Sequence, residues 1–376
     1  MESRRKKIIL AAGGSGGHIF PSVALADQLA RSGIKDICFI ASKRRLDRSI
    51  LEKTRYRSYF LSVNPMPFGG NLFKWIRFFI KLTADMVTSI FIILTVRPDA
   101  VVGFGGYSSG TITRSAAFLG IPVVLHEQNL VPGRANRMLA KCSDIIAVSF
   151  AESTRFFPGS VCGKIVHTGN PIRVDMLGRD REKSALRLEM DPSRLTVLIM
   201  GGSQGATFLN VKAAGAAKML SERYGGVFQF VHLTGANDLE STKNFYDNNN
   251  IDCKVFSFLE RIENAYAIAD IAVSRSGAAA IYELAYYGIP MILVPYPNPK
   301  NNQRDNAIYF AEKGAALYME EPDVGEEKIA GEISRILFDS EKRKSMSDSS
   351  LKLARPGAAR FLSEEVIKLT EGCDSA

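Results

Sequence analysis

One pattern occurs twice in the chain and constrains its fold more than any other feature. An apolar run is followed by a glycine-rich stretch, GGSGGH at residues 13–18 and GGSQGA at residues 201–206, and then by a sequence with helical character. Further short apolar runs alternate with helical segments along both halves of the chain. Because such alternation is typical of a parallel sheet with helices on both faces, we predict an α/β protein with two Rossmann-like domains in tandem.

The length of 376 residues suits two domains, and the sequence GNPIR at residues 169–173 lies between the two halves. We place the hinge there and predict an N-terminal domain over residues 1–172 and a C-terminal domain over residues 173–354. The rest of the chain is charged and helical. We expect its last part, at about 355–376, to form a helix that packs back on the N-terminal domain.

The charge of the chain restricts its partners. The formal net charge is +9, which favours nucleic acid, anionic lipid or a phosphorylated substrate. No nucleic-acid-binding motif is visible, so we favour lipid and predict no nucleic-acid partner. Five scattered cysteines without a CxxC pair are typical of reduced thiols in a cytosolic protein. The sequence has no HExxH, paired-cysteine or DxD motif, and we predict no catalytic metal.

One apolar and basic segment suits a membrane surface. On a helix over residues 71–97, one side would carry Leu72, Trp75, Phe79, Leu82 and Met86, and another would carry Lys74, Arg77 and Lys81. A bulky apolar face flanked by cations is typical of helices that bind anionic bilayers; the alternative is a core helix with a solvated basic edge. We expect no signal peptide, and the longest charge-free apolar run, residues 86–96, is shorter than the roughly 20 residues of a membrane span.

The first glycine-rich stretch predicts an anion or sugar site, because free N–H groups and the helix dipole converge where a glycine loop opens a helix. Its glycines at 13, 14, 16 and 17 do not form GxGxxG, and the second apolar run ends without an acid, which argues against a nicotinamide site. The missing GK[ST] sequence excludes a P-loop. His18 is a general base or a helix-cap or packing residue, and the residues alone leave both open.

Polar residues after other apolar runs indicate further ligand contacts. Ser276 and Gly277 precede a helix whose start suits a diphosphate, and Glu283 follows two turns later, within reach of ribose hydroxyls. The HEQN sequence at 126–129 ends a predicted strand, where open α/β sheets bind ligands. The amide-rich loop at 295–307 suits sugar hydroxyls. For each feature, an ordinary polar turn, surface loop or solvated side chain is the alternative.

Seven motifs together resemble one family. GGSGGH, GGYSSG, HEQN, GNPIR, GGSQGA, SRSGA and the NNQ–NA loop occur in the order and at the spacing of the peptidoglycan N-acetylglucosaminyltransferases of glycosyltransferase family 28. The resemblance covers about residues 7–365. It implies a GT-B fold, in which two Rossmann-like domains with parallel sheets face each other across a cleft. The first domain would bind the acceptor and face the membrane, and the second would bind the UDP-sugar donor.

The resemblance also implies a reaction and a location. The family transfers N-acetylglucosamine from UDP-N-acetylglucosamine to the C4 hydroxyl of the muramyl sugar in lipid I, with inversion, and forms lipid II for peptidoglycan. It needs no cofactor, and it works as a peripheral protein on the cytoplasmic side of the inner membrane. An anionic inner leaflet and other proteins of cell-wall synthesis and cell division are the partners that this implies.

The residues that match the family's motifs define the expected site. His18 is the candidate base, with binding of the acceptor's diphosphate as its rival role, and Glu127 is a weaker candidate base. The donor-binding set implied by the resemblance is Ser15, Gly16, Gly17, Asn129, Arg173, Ser203, Leu259, Ala278, Ala279, Ala280, Ile281, Tyr282, Glu283 and Gln303. The expected membrane-contact set is Leu72, Lys74, Trp75, Arg77, Phe79 and Lys81.

Two departures from the family and two other hypotheses remain. The loop reads Asn301-Asn302-Gln303 where the family usually has NHQ or DHQ, and AAAIYE lacks the threonine or serine often found after SRSG. One other hypothesis is a different GT-B enzyme, such as a diacylglycerol galactosyltransferase or a UDP-sugar 2-epimerase. The other is a non-enzymatic, membrane-bound nucleotide-sugar sensor.

Overall fold

The computed structural model describes residues 5–62, 72–173, 176, 178, 180–202, 204–298 and 302–372, and at residues 107, 108 and 372 the backbone only. The chain divides into two compact units, unit 1 (residues 1–174 and 357–376) and unit 2 (residues 175–356). Each contains a parallel sheet with helices. The predicted α/β class with two Rossmann-like domains is therefore confirmed, and the different roles expected of the two domains stay predictions.

Unit 1 is built on seven strands and six α-helices of the described chain. The strands are β1 (Lys7–Ala11), β2 (Asp36–Ser42), β3 (Arg57–Leu61), β4 (Ala100–Gly103), β5 (Val123–Glu127), β6 (Ile145–Val148) and β7 (Ile165–His167). The helices are α1 (Gly16–Arg31), α2 (Arg45–Leu51), α3 (Leu72–Val96), α4 (Tyr107–Phe118), α5 (Arg134–Leu139) and α14 (Ala358–Gly372). All strand pairs are parallel, in the order β3-β2-β1-β4-β5-β6-β7.

Strand β1 shows why a continuous apolar run suits this sheet. Successive side chains of a strand point to opposite faces. Ile8 and Leu10 accordingly pack in one apolar cluster, and Ile9 and Ala11 pack in another. All four are fully buried. Both faces of the sheet are thus covered, which requires apolar residues at every position of a central strand.

The C-terminal helix α14 completes unit 1. Its Leu362 and Val366 are fully buried in the same apolar cluster as Ile19 of α1. Near the other end of this contact, Lys6 Nζ donates a hydrogen bond to Thr370 Oγ1 at 3.1 Å. The last helix of the chain therefore belongs to the core of the first unit.

Unit 2 repeats the plan with six strands and eight α-helices of the described chain. The strands are β8 (Leu195–Met200), β9 (Phe228–Leu233), β10 (Cys253–Phe256), β11 (Ile271–Ser274), β12 (Met291–Leu293) and β13 (Ala316–Tyr318). The helices are α6 (Arg181–Leu188), α7 (Thr207–Tyr224), α8 (Leu239–Asn248), α9 (Glu263–Ile268), α10 (Ala278–Tyr286), α11 (Gln303–Glu312), α12 (Glu326–Leu337) and α13 (Ser340–Leu353). The parallel strands lie in the order β10-β9-β8-β11-β12-β13.

Candidate active site

The strand order of each sheet reverses at one point, between β1 and β4 in unit 1 and between β8 and β11 in unit 2. Open α/β sheets bind ligands outside the carboxyl ends of their strands at such a switch point. In unit 1 the loops at this point are residues 12–15 and 104–106. In unit 2 they are residues 201–206 and 275–277. The predicted glycine-rich stretches thus begin at the switch points of both units.

A buried carboxylate holds the loop between β1 and α1. Gly14 has a φ of +91°, and its N–H donates to Asp47 Oδ2 at 2.8 Å. The same oxygen accepts hydrogen bonds from the backbone N–H and the hydroxyl of Ser42, at 3.3 and 2.5 Å. Arg44 Nη1 donates to the Gly14 carbonyl at 2.9 Å. Asp47 is fully buried. Through these hydrogen bonds, the end of β2 and the start of α2 hold the glycine loop in place.

Two glycines after β4 make room for the ring of His18. Gly105 and Gly106 have φ angles of +86° and +82°. A Cβ on Gly105 would lie 3.4 Å from His18 Cε1, and a Cβ on Gly106 would lie 2.5 Å from the carbonyl oxygen of Gly13. Only backbone without side chains lets the two loops of this switch point approach so closely. The GGYSSG motif therefore shapes the surroundings of the candidate base.

A chain of polar side chains leads from His18 into the unit. His18 is half-buried, and its Nδ1 lies 3.0 Å from Gln128 Oε1. Gln128 Nε2 lies 3.0 Å from the Phe104 carbonyl oxygen and 3.0 Å from His126 Nδ1. His126 Nε2 in turn lies 3.1 Å from the carbonyl oxygen of Gly169. Complete burial lowers the pKa of His126 to about 4, so this ring is neutral at pH 7.

Glu127, the weaker candidate base, is held by its own loop. Its Oε1 accepts hydrogen bonds from the backbone N–H of Asn129 at 2.9 Å and from the Asn129 side chain at 3.1 Å. Its Oε2 accepts from the N–H of Gly133 and from Asn136 Nδ2, both at 2.9 Å. The side chain is buried. Four donors on a buried carboxylate organise a loop, and they favour a positioning role over proton transfer.

The other expected donor contacts of unit 1 lie around the same switch point. Ser15 precedes α1 in an extended conformation, and its carbonyl oxygen accepts from the His18 N–H at 3.2 Å. Gly16 and Gly17 form the first turn of α1. Arg173 lies with its guanidinium 4.9 Å from the ring centroid of Phe20, which is also on α1. This cation–π contact keeps the arginine beside the helix that the glycine loop begins.

The glycine-rich stretch of unit 2 packs backbone against backbone. Gly205, with a φ of +77°, would place a Cβ only 2.0 Å from the carbonyl oxygen of Thr234. Gly235, with a φ of +80°, would place one 2.6 Å from the carbonyl oxygen of Gln204. The loops after β8 and β9 therefore touch only because both positions lack side chains. Ser203, an expected donor contact, lies outside the described residues.

The start of α10 is fixed by hydrogen bonds to the start of α11. Ser276, fully buried, donates from its hydroxyl to the Gln303 carbonyl oxygen at 2.8 Å. Asn306 Nδ2 donates to the Ser276 carbonyl oxygen at 3.2 Å. Gln303 Oε1 accepts from the N–H of Tyr296 at 3.0 Å. The first-turn N–H groups of α10, at 278–280, precede the first internal helix bond and form a typical anion-binding end.

Beyond its first turn, α10 carries both half-buried and fully buried members of the expected donor set. Glu283 is half-buried, and Tyr266 donates from its hydroxyl to Glu283 Oε2 at 2.9 Å. Ile281 is fully buried and Tyr282 is 4% exposed, with its ring edge-on to Phe310. The side chains of Ile281 and Tyr282 therefore belong to the core, and their expected donor contact stays a prediction that only their backbone could fulfil. Leu259, the expected uracil contact, is half-buried in the segment after β10.

A buried arginine organises the loop that faces this helix start. Arg275 Nη1 donates to the carbonyl oxygens of Val294 and Pro295 at 3.0 and 2.9 Å. Arg275 Nη2 forms an ion pair with Glu321, and the side chain is only 6% exposed. The guanidinium also lies 5.6 Å from the ring centroid of Tyr296. Arg275 thus holds the end of β12 and the loop behind it, and its charge is already neutralised.

The titratable residues of the two switch points do not make a metal-ligand set. Across the residues that the structure describes, no group of three or more His, Cys, Asp or Glu side chains could hold a metal ion. His18, His126 and Glu127 are instead engaged by amide groups and backbone. The chemistry that these groups suit is hydrogen bonding, proton transfer and anion binding.

Helix α3 exposes an unusually large apolar surface. Its exposed apolar residues follow a helical spacing along the whole length: Phe73 83%, Ile76 46%, Ile80 65%, Val87 62%, Phe91 69% and Leu94 59%. Leu72 and Phe79 of the expected membrane set are also exposed, as are Lys74 and Arg77, whereas Trp75 and Lys81 are half-buried. An apolar surface of this extent on a folded unit is typical of a membrane or protein contact.

The same helix corrects the expectation about length. The charge-free run is short, but α3 as a whole has 25 residues and is long and apolar enough to cross a membrane by length and composition. Its second half packs into unit 1 through Asp85, Ser89, Ile92 and Ile93, all buried. This packing makes α3 an element of unit 1 with one face on the sheet and one face exposed.

Comparisons with known proteins agree with this arrangement. Residues 8–148 match the glycosyltransferase family 28 N-terminal domain, and residues 196–361 match the family's C-terminal domain. A curated UDP-N-acetylglucosamine--N-acetylmuramyl-(pentapeptide) pyrophosphoryl-undecaprenol N-acetylglucosamine transferase from Desulfotalea psychrophila is 35% identical over 95% of each chain. The chain belongs to the MurG group of glycosyltransferase family 28. It is therefore a glycosyltransferase.

Two further members of the MurG group support the same conclusion. A transferase of the same name from Halothermothrix orenii is 33% identical, over 95% of this chain and 97% of that one. The crystal structure of Acinetobacter baumannii MurG matches with a TM-score of 0.75 and 27% identity, and covers 97% of this chain and all of that one. The GT-B fold expected from the resemblance is thereby confirmed.

Several residues that shape this MurG-group site were not among those expected from the sequence. Asp47, Asn136 and Arg275 orient loops, Gln128 contacts the candidate base, and Tyr266 contacts Glu283. Gln128 and Arg275 stand inside the HEQN and SRSG motifs, so motif membership was a usable signal for both. Asp47 and Tyr266 lie outside the quoted motifs and carry no such signal.

Proposed function

We propose that this chain transfers N-acetylglucosamine from UDP-N-acetylglucosamine to the C4 hydroxyl of lipid I, the undecaprenyl diphosphate-linked N-acetylmuramoyl-pentapeptide, and so forms lipid II. The observation that carries the proposal is the 35% identity, over 95% of each chain, with a curated transferase named for this donor and acceptor. The glycine loops at both switch points support it, because they offer two ligand sites of different character.

Unit 2 is the proposed donor site. The diphosphate would accept hydrogen bonds from the N–H groups at the start of α10, where the helix dipole also favours an anion. Glu283, held by Tyr266, would accept from the ribose hydroxyls. Gln303, which begins α11, would contact the N-acetylglucosamine, and Leu259 would meet the uracil through its backbone. The neutral, hydrogen-bonded surroundings of α10 support this assignment.

Unit 1 would supply the base. The oxygen of the acceptor's C4 hydroxyl attacks the anomeric carbon of N-acetylglucosamine, the bond from that carbon to the diphosphate oxygen breaks, and the configuration inverts. The hydroxyl proton passes to His18, and the electron pair of the broken bond leaves with UDP. The backbone N–H groups of α10 and Arg173 would stabilise the negative charge that grows on the leaving diphosphate. Ser15, Gly16, Gly17, Asn129 and Ser203 remain proposed donor contacts.

Helix α3 is the proposed membrane contact. Its exposed stripe from Phe73 to Leu94 would enter the headgroup boundary, while Lys74 and Arg77 would meet anionic lipid. The acceptor carries a polyprenyl chain, so an enzyme with an apolar surface on the acceptor-binding unit can reach it without extracting it. We propose a peripheral protein on the cytoplasmic side of the inner membrane, working beside other proteins of cell-wall synthesis.

Transfer of labelled N-acetylglucosamine from its UDP donor to a lipid I analogue in detergent tests the function. A labelled disaccharide lipid is the expected product, and it would exclude both a 2-epimerase and a non-catalytic sensor. Donor binding without transfer would indicate another acceptor or a sensor, and no donor binding would refute the proposal.

Two variants test the base. His18→Ala should lower kcat by about 10²- to 10⁴-fold, the contribution of a general base, with little change in donor KM. His167→Ala is the matched control, because His167 is an exposed histidine of the same unit. Equal activity of the two variants would contradict the role of His18 and leave the transfer reaction itself standing.

A further inference from the structure

We propose that Gln128 is a positioning residue for His18, and that it holds the neutral imidazole in the tautomer with the proton on Nδ1. The inference rests on the proposed role of His18 as base. In that tautomer the lone pair is on Nε2, so this nitrogen can accept the acceptor's proton. Within HEQN, the acid Glu127 and the asparagine Asn129 already have expected roles, and the buried glutamine Gln128 now gains one.

The orientation of the Gln128 amide is determined by a backbone carbonyl. Gln128 is 2% exposed, and one end of its amide lies 3.0 Å from the Phe104 carbonyl oxygen and 3.2 Å from the His126 carbonyl oxygen. Carbonyl oxygens only accept hydrogen bonds, so this end must be the NH2 group. The opposite end, 3.0 Å from His18 Nδ1, is therefore the oxygen.

His126 reinforces the same orientation. Its Nε2 faces the Gly169 carbonyl oxygen at 3.1 Å and must carry a proton there. Because the buried ring is neutral, its Nδ1 has a free lone pair, which accepts from Gln128 Nε2 at 3.0 Å. A reversed Gln128 amide would place an oxygen against this lone pair and against two carbonyl oxygens. The two histidines are thus linked through one amide that has a single allowed orientation.

The consequence falls on His18. Gln128 Oε1 has only lone pairs, so His18 Nδ1 must carry a proton to hydrogen-bond with it. Within the described residues, the bond to Gln128 Oε1 is the only hydrogen bond of the His18 ring, and no protein group bonds to its Nε2. A Cβ on Gly105 or Gly106 would lie 3.4 Å from His18 Cε1 or 3.6 Å from His18 Cδ2, so side chains at these positions would crowd the ring. Free histidine prefers the opposite tautomer, so the protein must supply the difference.

The other three histidines of the chain give an internal contrast. His126 and His167 each donate from Nε2 to a backbone carbonyl oxygen, of Gly169 and Ser149. His232 Nε2 faces Asn210 Oδ1, whose amide group donates from Nδ2 to the Thr234 carbonyl oxygen. All three rings therefore carry a proton on Nε2. His18 alone among the four histidines of the sequence should carry it on Nδ1.

Long-range ¹H–¹⁵N correlation spectra of histidine-labelled protein test this directly at pH 8, above the reference pKa of a model-peptide histidine. Three rings should show the Nε2–H pattern and one the Nδ1–H pattern, which His18→Ala should remove. An Nε2–H pattern for His18 in the unmodified protein would overturn the inference. This measurement uses no substrate, so it does not depend on the proposed reaction.

Kinetics then show whether the tautomer matters. Gln128→Met has a similar volume but no hydrogen-bonding amide, and it should lower kcat by about 10- to 100-fold, less than loss of the base itself. Donor KM should stay unchanged, and the His18 spectrum should shift toward Nε2–H. Gln128→Glu keeps an acceptor for Nδ1–H, and a proton on its other oxygen replaces the Nε2 donor toward the Phe104 carbonyl oxygen. This variant should retain the Nδ1–H pattern and more of the activity than Gln128→Met.

The outcomes separate the two proposals. If His18→Ala is inactive while folded Gln128→Met keeps full kcat, the positioning role of Gln128 fails and the base survives. If His18→Ala is fully active, the base assignment fails, and the spectra alone then decide whether Gln128 sets the tautomer. If Gln128→Met does not fold, the spectrum of the unmodified protein and the Gln128→Glu variant still decide.

Discussion

A methyl group added at Gly106 should separate the two loops of the unit 1 switch point. In Gly106→Ala the new Cβ would lie 2.5 Å from the carbonyl oxygen of Gly13 and 3.6 Å from His18 Cδ2. The first contact is with backbone, which cannot rotate away as a flexible side chain can. The residue would also keep a φ of +82°, which an L-amino acid rarely adopts. Either the loop after β4 moves away from the loop after β1, or both strains remain.

A second glycine of unit 1 distinguishes the cost of the positive φ from the cost of the close backbone contact. A sparsely populated backbone conformation at an L-residue costs about 1–3 kcal/mol, and Gly106, with φ of +82° and ψ of 169°, lies in a region that is essentially restricted to glycine. Forced overpacking costs about 1–3 kcal/mol more. Gly106→Ala should therefore lower the free energy of unfolding by about 2–6 kcal/mol. Gly14→Ala has the positive φ but open space around its Cβ, so it should cost only the first part.

Gly110→Ala is the matched control within the same GGYSSG motif. Gly110 lies inside α4 with open space around its Cβ, and alanine is about 1 kcal/mol more favourable than glycine there. Urea unfolding of the three variants should rank Gly110→Ala as most stable and Gly106→Ala as least, and only the latter should lower kcat sharply. A Gly106→Ala variant as stable as Gly14→Ala would refute the reasoning from close approach.

Three other perturbations have expected outcomes. Burial holds the pKa of His126 at about 4, below its ordinary 6.5, so between pH 6.5 and 4 only the unfolded chain protonates this ring. The free energy of unfolding should therefore fall by about 1.4 kcal/mol per pH unit as the pH is lowered from 6.5 toward 4. Urea unfolding of His126→Asn should show a smaller fall over the same range. Phe73→Ser with Phe91→Ser should weaken binding to anionic vesicles in sedimentation assays without changing UDP-N-acetylglucosamine affinity. Tyr266→Phe removes one hydrogen bond from the Glu283 carboxylate and should weaken donor binding about 5- to 10-fold by calorimetry. This is less than the full effect of a hydrogen bond to a charged group, about 1.5–3 kcal/mol, because Tyr266 acts only through Glu283. Unchanged affinity would contradict the positioning of Glu283 by Tyr266.

The repeated strand–glycine–helix pattern was predictable because it depends on neighbours in sequence. Apolar runs such as β1 become central strands wherever helices cover both faces, and glycines follow where loops must approach. The contacts that orient the site are of another kind. Gly14 bonds to a residue 33 positions away, and His18 bonds to one 110 positions away. No local spacing encodes such a pair, so Asp47 and Gln128 had no assigned role until the fold brought them together.

Helix α3 shows a second limit of sequence patterns. Apolar side chains occur on nearly every side of this helix, so its periodicity does not identify one exposed face. On the predicted face Leu72 and Phe79 are exposed, and Trp75, Leu82 and Met86 are half-buried. A second stripe, from Phe73 to Leu94, is exposed along the whole helix. Ile92 and Ile93 pack on the sheet. They thereby fix the rotation of the whole helix and determine which of its faces is exposed.

Two adjacent residues of HEQN suit the proposed role of His18, a base that accepts one proton and then releases it. Glu127 could have paired with an imidazolium, but its four lone-pair positions are taken by Asn129, Gly133 and Asn136. The residue that reaches His18 is the neutral Gln128 instead. A carboxylate partner stabilises the charged ring and retains the proton, whereas a neutral amide fixes the ring without adding charge. A single displacement on the sugar needs no stored imidazolium, because no covalent intermediate waits for the proton to return.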